Sequence, residues 1–296
     1  MAVSEKRTLA GLDVRQAMRR QLVALNVNSK IHQGINTLIK YKVNAVLLTD
    51  DKGRPEGVVS KTDVMGAYYA QLPLDSPLSF IMNAPPHYCM ISDSLEDALE
   101  QMRGLGIYRL YVKDRRREVV GVLAYPDIVG LLYRFCHDCK FSRLAGSSIQ
   151  KLAANGNYLK VRDVMTASVE VVDQGAELSA VMEVLTAHRF GAVLVVAEGG
   201  RPAGVISKTD LILAYRHGLG QAEKASVIMS SPVRSCRKDQ WLEEAIRSMI
   251  LSDIHRLFVH EERADDIVGV LSLSDAARAR SGSCQACVSS RINVES

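Results

Sequence analysis

Apolar residues along this chain follow two periods that succeed each other in a fixed order. Between Ser94 and Met102, the residues Leu95, Ala98, Leu99 and Met102 recur at i, i+3, i+4 and i+7, one face of an amphipathic helix. Asp93 or Ser94 supplies its N-cap. The β-branched run at 191–196 (GAVLVV) has a different period and predicts a buried strand. Lys52-Gly53 and Gly199-Gly200 fall in polar stretches that predict turns between two strands. Together these signals spell strand–helix–strand–strand–helix over about 60 residues, a unit that buries little surface alone and should pack in pairs.

That succession occurs four times. Each copy has an opener ending at Met18, Met82, Met165 or Met229, then a helix, then a strand, then a closer of the form Gly-h-h-x-x-x-Asp-h, where h is apolar. The closers lie at 57–64, 121–128, 204–211 and 269–276. A coarser duplication contains them: GVVSKTDV at 57–64 returns as GVISKTDL at 204–211, 147 positions later. The same offset carries 107–112 (IYRLYV) onto 254–259 (IHRLFV) and Cys89 onto Cys236. After one inserted residue the offset is 148, and Cys136 and Cys139 fall on Cys284 and Cys287.

Composition narrows the choice. The 296 residues are 47% hydrophobic and 24% charged, the mix of a globular protein with buried cores. The longest apolar run is six residues at 192–197, far short of the roughly 20 that span a bilayer, so no membrane role is expected. A formal charge of +4 is too small and diffuse for a nucleic-acid binder. The opening MAVSEKRTLAGLDV has no apolar core, so neither an export signal nor an oxidising compartment is expected; the predicted setting is cytoplasmic. There is no Walker loop and no triad-like ordering, so we expect a protein that is not an enzyme.

The four closers and the IHRLFV strand at 254–259 resemble the cystathionine-β-synthase (CBS) domain, nearly end to end, and that strand is similar to its counterpart in the γ subunit of AMP-activated kinase. The resemblance implies an α/β (α+β) fold of four CBS units paired into two Bateman modules as a pseudo-twofold disc. The expected layout is CBS pair 1 at 1–135 (units about 1–72 and 73–135), a connector at 136–160, CBS pair 2 at 161–280 (units about 161–219 and 220–280) and a tail at 281–296. It also implies AMP, ADP, ATP or S-adenosylmethionine as ligand in the clefts between paired units, a regulated partner protein and a homodimer.

The residue chemistry agrees with that implication. An Asp that opens a helix after a tight glycine turn, as the closers predict, can accept hydrogen bonds from both ribose hydroxyls, and a Ser three residues earlier, with the helix N-terminal N–H groups, can hold phosphate. Asp63, Asp127, Asp210 and Asp275 take the ribose role by resemblance, and Ser60, Ser207 and Ser272 the hydroxyl role. Repeat 2 departs from the pattern, with Ala124 at the hydroxyl position and Pro126 before Asp127. Lys61 and Lys208 offer cations within the closers; Arg109, His255 and Arg256 add phosphate contacts. The plainer reading of Ser-x-x-Asp is a helix cap, and of the lysines a solvated surface charge.

Cys136-His137-Asp138-Cys139 and Cys284-Gln285-Ala286-Cys287 stand apart from that scheme. Two Cys-x-x-Cys pairs can complete a tetrahedral zinc site or hold an iron–sulfur cluster. Two local disulfides, or four unligated thiols, are the other readings. The metal reading leads to a rival function, a metal- or redox-responsive switch built on a CBS scaffold. Cys89 and Cys236, in apolar surroundings, read as small buried hydrophobes.

Overall fold

A computed structural model describes residues 11–138, 159–188 and 190–278. Four three-stranded sheets form, each in the order expected of one repeat. They are β1 (Ala24–Asn26), β2 (Ala45–Thr49) and β3 (Pro55–Ser60); β4 (Tyr88–Met90), β5 (Arg109–Lys113) and β6 (Val119–Ala124); β7 (Val171–Asp173), β8 (Ala192–Val196) and β9 (Pro202–Ser207); β10 (Ser235–Arg237), β11 (Arg256–His260) and β12 (Ile267–Ser272). In every sheet the first two strands are parallel and the last two antiparallel. A parallel pair needs a crossover, and each has a helix: α2 (Ile31–Lys40), α4 (Leu95–Gly104), α6 (Leu178–Ala187) and α9 (Leu242–Leu251). The third strand runs directly into a closing helix: α3 (Lys61–Tyr69), α5 (Tyr125–Asp138), α7 (Lys208–Arg216) or α10 (Leu273–Arg278). No described helix is long and apolar enough to cross a membrane.

Local chemistry explains the boundaries. Ser94, not Asp93, caps α4: its hydroxyl accepts from the Asp97 N–H at 3.0 Å, while Asp93 takes the Met90 N–H at 2.7 Å. Gly53 and Gly200 hold their hairpins at φ +76° each, a left-handed geometry that glycine adopts without cost. The glycines that begin the closers, by contrast, lie within strands β3, β6, β9 and β12 and not in the tight turns the sequence suggested.

The chain makes two compact units, and each draws on both halves of the sequence. One comprises described residues within Met1–Gln21, His87–Ser168 and Arg234–Ser296, the other those within Leu22–Pro86 and Val169–Val233. Each has its own apolar core. The openers account for part of this division. The opener of repeat 1, with α1 (Val14–Ala17), sits on repeat 2, where Arg19 bridges Val122 of β6. The opener of repeat 2 sits on repeat 1, where Asn83 bridges Val58 of β3. Repeats 3 and 4 make the same exchange: Thr166 bridges Val270 of β12, and Ser230, after α8 (Ala225–Ile228), bridges Val205 of β9. Every opener is thus delivered to the other repeat of its own half.

Packing at the delivered openers is conserved in size though not in sequence. The residue four before each Met and the fourth residue of one crossover helix occupy equivalent positions from repeat to repeat, giving the pairs Leu78 with Gly34, Val14 with Ala98, Ala225 with Val181 and Val161 with Ala245. All eight are buried, and each pair carries four side-chain carbons in total. At the first pair the fit is direct: a Cβ on Gly34 would stand 2.8 Å from Leu78 Cδ2. Interiors are packed to crystal-like density, so what one side chain gains its neighbour must give up.

Candidate functional site

The four closers end in the same local construction. In repeat 1, Ser60 is the N-cap of α3 and its N–H donates to Asp63 Oδ2 at 2.6 Å. Its hydroxyl also donates to Oδ2, at 2.7 Å. Repeat 3 repeats the pair at 2.7 Å each, from Ser207 N–H and Oγ to Asp210 Oδ2. In repeat 4 the Ser272 N–H reaches Asp275 Oδ2 at 2.9 Å, and the Ser272 hydroxyl lies between Asp275 and Ser274. Ala124 in repeat 2 has no hydroxyl, yet its N–H still donates to Asp127 Oδ2 at 2.8 Å. The helix-cap reading of Ser-x-x-Asp is therefore realised, and it uses one carboxylate oxygen only.

The second oxygen differs from repeat to repeat. Asp63 Oδ1 accepts from the Asn83 amide at 2.7 Å. Asp127 Oδ1 is ion-paired with Arg19 Nε at 2.7 Å, its side chain only 9% exposed. Burial raises the Asp127 pKa, with Arg19 pulling the other way. Oδ1 of Asp210 and of Asp275 accepts no hydrogen bond among the described residues. Asn83 and Arg19 each follow an opener Met, a position to which the sequence reading gave no role. Aligning the four openers would have flagged it, because Arg19 and Asn83 stand where the other two openers carry the hydroxyl residues Thr166 and Ser230.

One compact unit brings together Ser60, Lys61 and Asp63 with Ser207, Lys208 and Asp210, because α3 packs on α7. Tyr68 and Tyr215 stack there with ring centroids 4.9 Å apart. Each donates its hydroxyl to a carbonyl of the other repeat, Tyr68 to Leu219 at 2.8 Å and Tyr215 to Leu72. The lysines cross over in the same way: Lys61 Nζ donates to Thr209 Oγ1 at 2.8 Å and Lys208 Nζ to Thr62 Oγ1 at 2.9 Å. Two cations thus stand beside two helix N-termini, a positive setting in which each lysine is also tied to the facing closer.

The other unit collects Arg109, Asp127, His255, Arg256, Ser272 and Asp275, with α5 packed on α10. His255 is exposed, and Arg109 and Arg256 are half-buried at the starts of β5 and β11. Burial lowers the pKa of both guanidiniums; the Tyr111 phenol and the Asp127 carboxylate oppose this at Arg109, and Tyr108 and Asp275 at Arg256. Tyr108, which takes the position of His255 in repeat 2, is 52% exposed and meets the Tyr125 ring edge-on at 5.9 Å. The sequence reading passed over Tyr108.

Of the cysteines read as metal ligands, Cys139, Cys284 and Cys287 lie outside the described residues, and Cys136 falls in the last turns of α5 with its side chain outside them too. Among the described residues no group of three or more His, Cys, Asp and Glu side chains is placed to hold a metal ion. Cys89 and Cys236 are buried, 4% and 6% exposed, and burial pushes their thiols up to about 12 and about 11. With the other four cysteines replaced by serine, native protein should show no reactive thiol at pH 8, and urea-unfolded protein two. Rapid labelling of the native form would contradict the buried assignment. Both thiols ionise near 9 when unfolded and only near 11 to 12 when folded. Raising the pH through that window therefore favours the unfolded chain.

Comparison with known proteins matches this architecture. The CBS domain family matches residues 14–70, 78–134, 161–217 and 225–282, and the chain belongs to it. Among curated relatives, MJ1225 of Methanocaldococcus jannaschii is 21% identical over 210 residues, 70% of this chain and 72% of the relative. The AMP-activated protein kinase subunit gamma-3 of Bos taurus is 26% identical over 199 residues, 64% of this chain but 38% of that longer protein. The crystal structure of MJ1225 superposes with a TM-score of 0.75 at 16% identity, covering 90% of this chain and 99% of that one. A Pyrococcus horikoshii protein does so at 0.59 and 17%, with the same coverage. These likenesses show the fold.

Proposed function

We propose that this chain is a cytoplasmic regulatory sensor that binds an adenosyl ligand (AMP, ADP, ATP or S-adenosylmethionine) at its closers and passes that state to a partner protein. The observation that carries the reading is the divided carboxylate of Asp210 and Asp275. One oxygen is held by the cap, which fixes the side chain, and the other is turned to no protein donor among the described residues. A carboxylate held this way can accept from ribose hydroxyls without first being reoriented, which lowers the entropic cost of binding. Ser207, Ser272 and the N-terminal N–H groups of α7 and α10 stand where a phosphate is favoured. Lys208 and Arg256 add positive charge. The likeness to a kinase γ subunit supports the regulatory role, and the opener exchange within each half supports 1–135 and 161–280 as two modules.

Calorimetry of the full chain with AMP and with ATP tests the reading. Asp210→Ala and Asp275→Ala should each weaken binding by about 1–3 kcal/mol, the loss of a charge-assisted hydrogen bond. Undiminished affinity in the double variant would sink the assignment.

A further inference from the structure

Resting on that reading, we infer that the residue following each opener Met decides which of the four carboxylates is available to a ligand. Arg19 withdraws Asp127, Asn83 restrains Asp63, and Thr166 and Ser230 leave Asp275 and Asp210 open.

The geometry supports this repeat by repeat. All four residues occupy one structural position, the antiparallel bridge between opener and third strand: Arg19 to Val122, Asn83 to Val58, Thr166 to Val270 and Ser230 to Val205. In each, both backbone bonds of the bridge are 2.9 Å, so the side chains leave from equivalent points. What differs is reach and charge. The arginine spans to Asp127 Oδ1 at 2.7 Å, and the asparagine to Asp63 Oδ1 at 2.7 Å. The threonine and serine hydroxyls, on shorter side chains, make no hydrogen bond to Asp275 or Asp210. An ion pair on a carboxylate that is 9% exposed is hard to replace, because a neutral hydroxyl does not supply the positive charge that the buried carboxylate would lose. A neutral amide is displaced more easily, since a hydroxyl offers the carboxylate an equivalent bond.

Repeat 2 shows that the block is the arginine and not the missing hydroxyl alone. Ala124 removes one hydrogen bond of the cap, but its N–H still fixes Asp127 Oδ2 at 2.8 Å. The carboxylate is therefore positioned like its three relatives, with its other oxygen claimed by Arg19.

Exchanging the position tests this. The full chain and the variants Arg19→Thr, Thr166→Arg and Asn83→Ser are titrated with AMP by calorimetry and equilibrium dialysis, with folding checked by thermal melting. Arg19→Thr should bind one more AMP than the unaltered chain, more weakly than the other sites because Ala124 lacks the hydroxyl. Thr166→Arg should bind one fewer, with the melting temperature kept or raised by the new ion pair. Asn83→Ser should tighten one site about tenfold, the worth of a competing hydrogen bond. If the unaltered chain binds AMP and neither Arg19→Thr nor Thr166→Arg changes the number bound, the inference fails while the sensor reading stands. If the unaltered chain binds no adenine nucleotide, both fail. Should Arg19→Thr melt too early to titrate, Thr166→Arg alone decides, since it adds a side chain without stranding a buried charge.

Discussion

Replacing Gly34 by Val and Leu78 by Ala together should restore most of the stability that either substitution removes alone. Leu78 is fully buried, and cutting it to alanine leaves a cavity against α2 that should cost about 2–5 kcal/mol. Gly34→Val places a branched side chain where even a Cβ meets Leu78 Cδ2 at 2.8 Å, which should cost about 1–3 kcal/mol. The double variant carries the arrangement that repeat 3 already uses, with Val181 on the helix and Ala225 on the opener, both buried. Side-chain carbon is conserved, so the cavity and the clash cancel. Urea unfolding of the four proteins gives the coupling, expected at about 1–3 kcal/mol in the favourable sense. A double variant as unstable as the sum of the singles would show that the site does not trade volume between the two elements.

That exchange also shows what sequence patterns convey and what they omit. The helix periodicity at Leu95–Met102, the strand at 191–196 and the glycine turns were all readable, because each depends on neighbours within a few positions. The four-fold repetition was readable for the same reason. Delivery of the openers to the neighbouring repeat was not, since Val14 and Leu78 look equally apolar whichever helix they cover. Only the complementary sizes of Gly34 with Leu78 and of Val181 with Ala225 record the partner, and they do so once the pairing is known. The candidate site divides likewise. Ser60 with Asp63, and Ser207 with Asp210, follow from a capping motif three residues long. Arg19 and Asn83 reach their carboxylates across more than a hundred positions and twenty positions respectively, and no local signal links them. Lys61 and Lys208 were legible as cations, but not as partners of Thr209 and Thr62 in the facing closer.

The largest effect of a single methyl group is expected at the closer glycines. A Cβ on Gly121 would stand 2.6 Å from the carbonyl oxygen of Arg19, and one on Gly269 2.8 Å from that of Thr166. Those oxygens accept the Val122 and Val270 N–H groups at 2.9 Å, so they cannot retreat without breaking the bridge that seats the opener. At Gly57 the opener Met82 sulfur is the nearest atom, at 2.7 Å, with the Asn83 carbonyl oxygen at 3.0 Å; at Gly204 the Met229 sulfur and the Ser230 carbonyl oxygen both stand at 2.9 Å. A thioether can swing aside where a carbonyl cannot. Gly121→Ala should therefore cost about 3 kcal/mol, the upper part of the usual range for overpacking, and truncating Met18 should not rescue it. Gly66 is the control: it lies in α3 with nothing within 4 Å of a built Cβ, so Gly66→Ala should stabilise by about 0.5–1 kcal/mol. Urea unfolding of the two variants beside the unaltered chain separates these cases. Because the displaced bridge carries Arg19, loss of the Gly121 contact should also release Asp127. The same variant, if folded, should then show the added nucleotide site expected of Arg19→Thr. A Gly121→Ala protein as stable as its parent would mean that the opener is not held against β6 by close backbone approach.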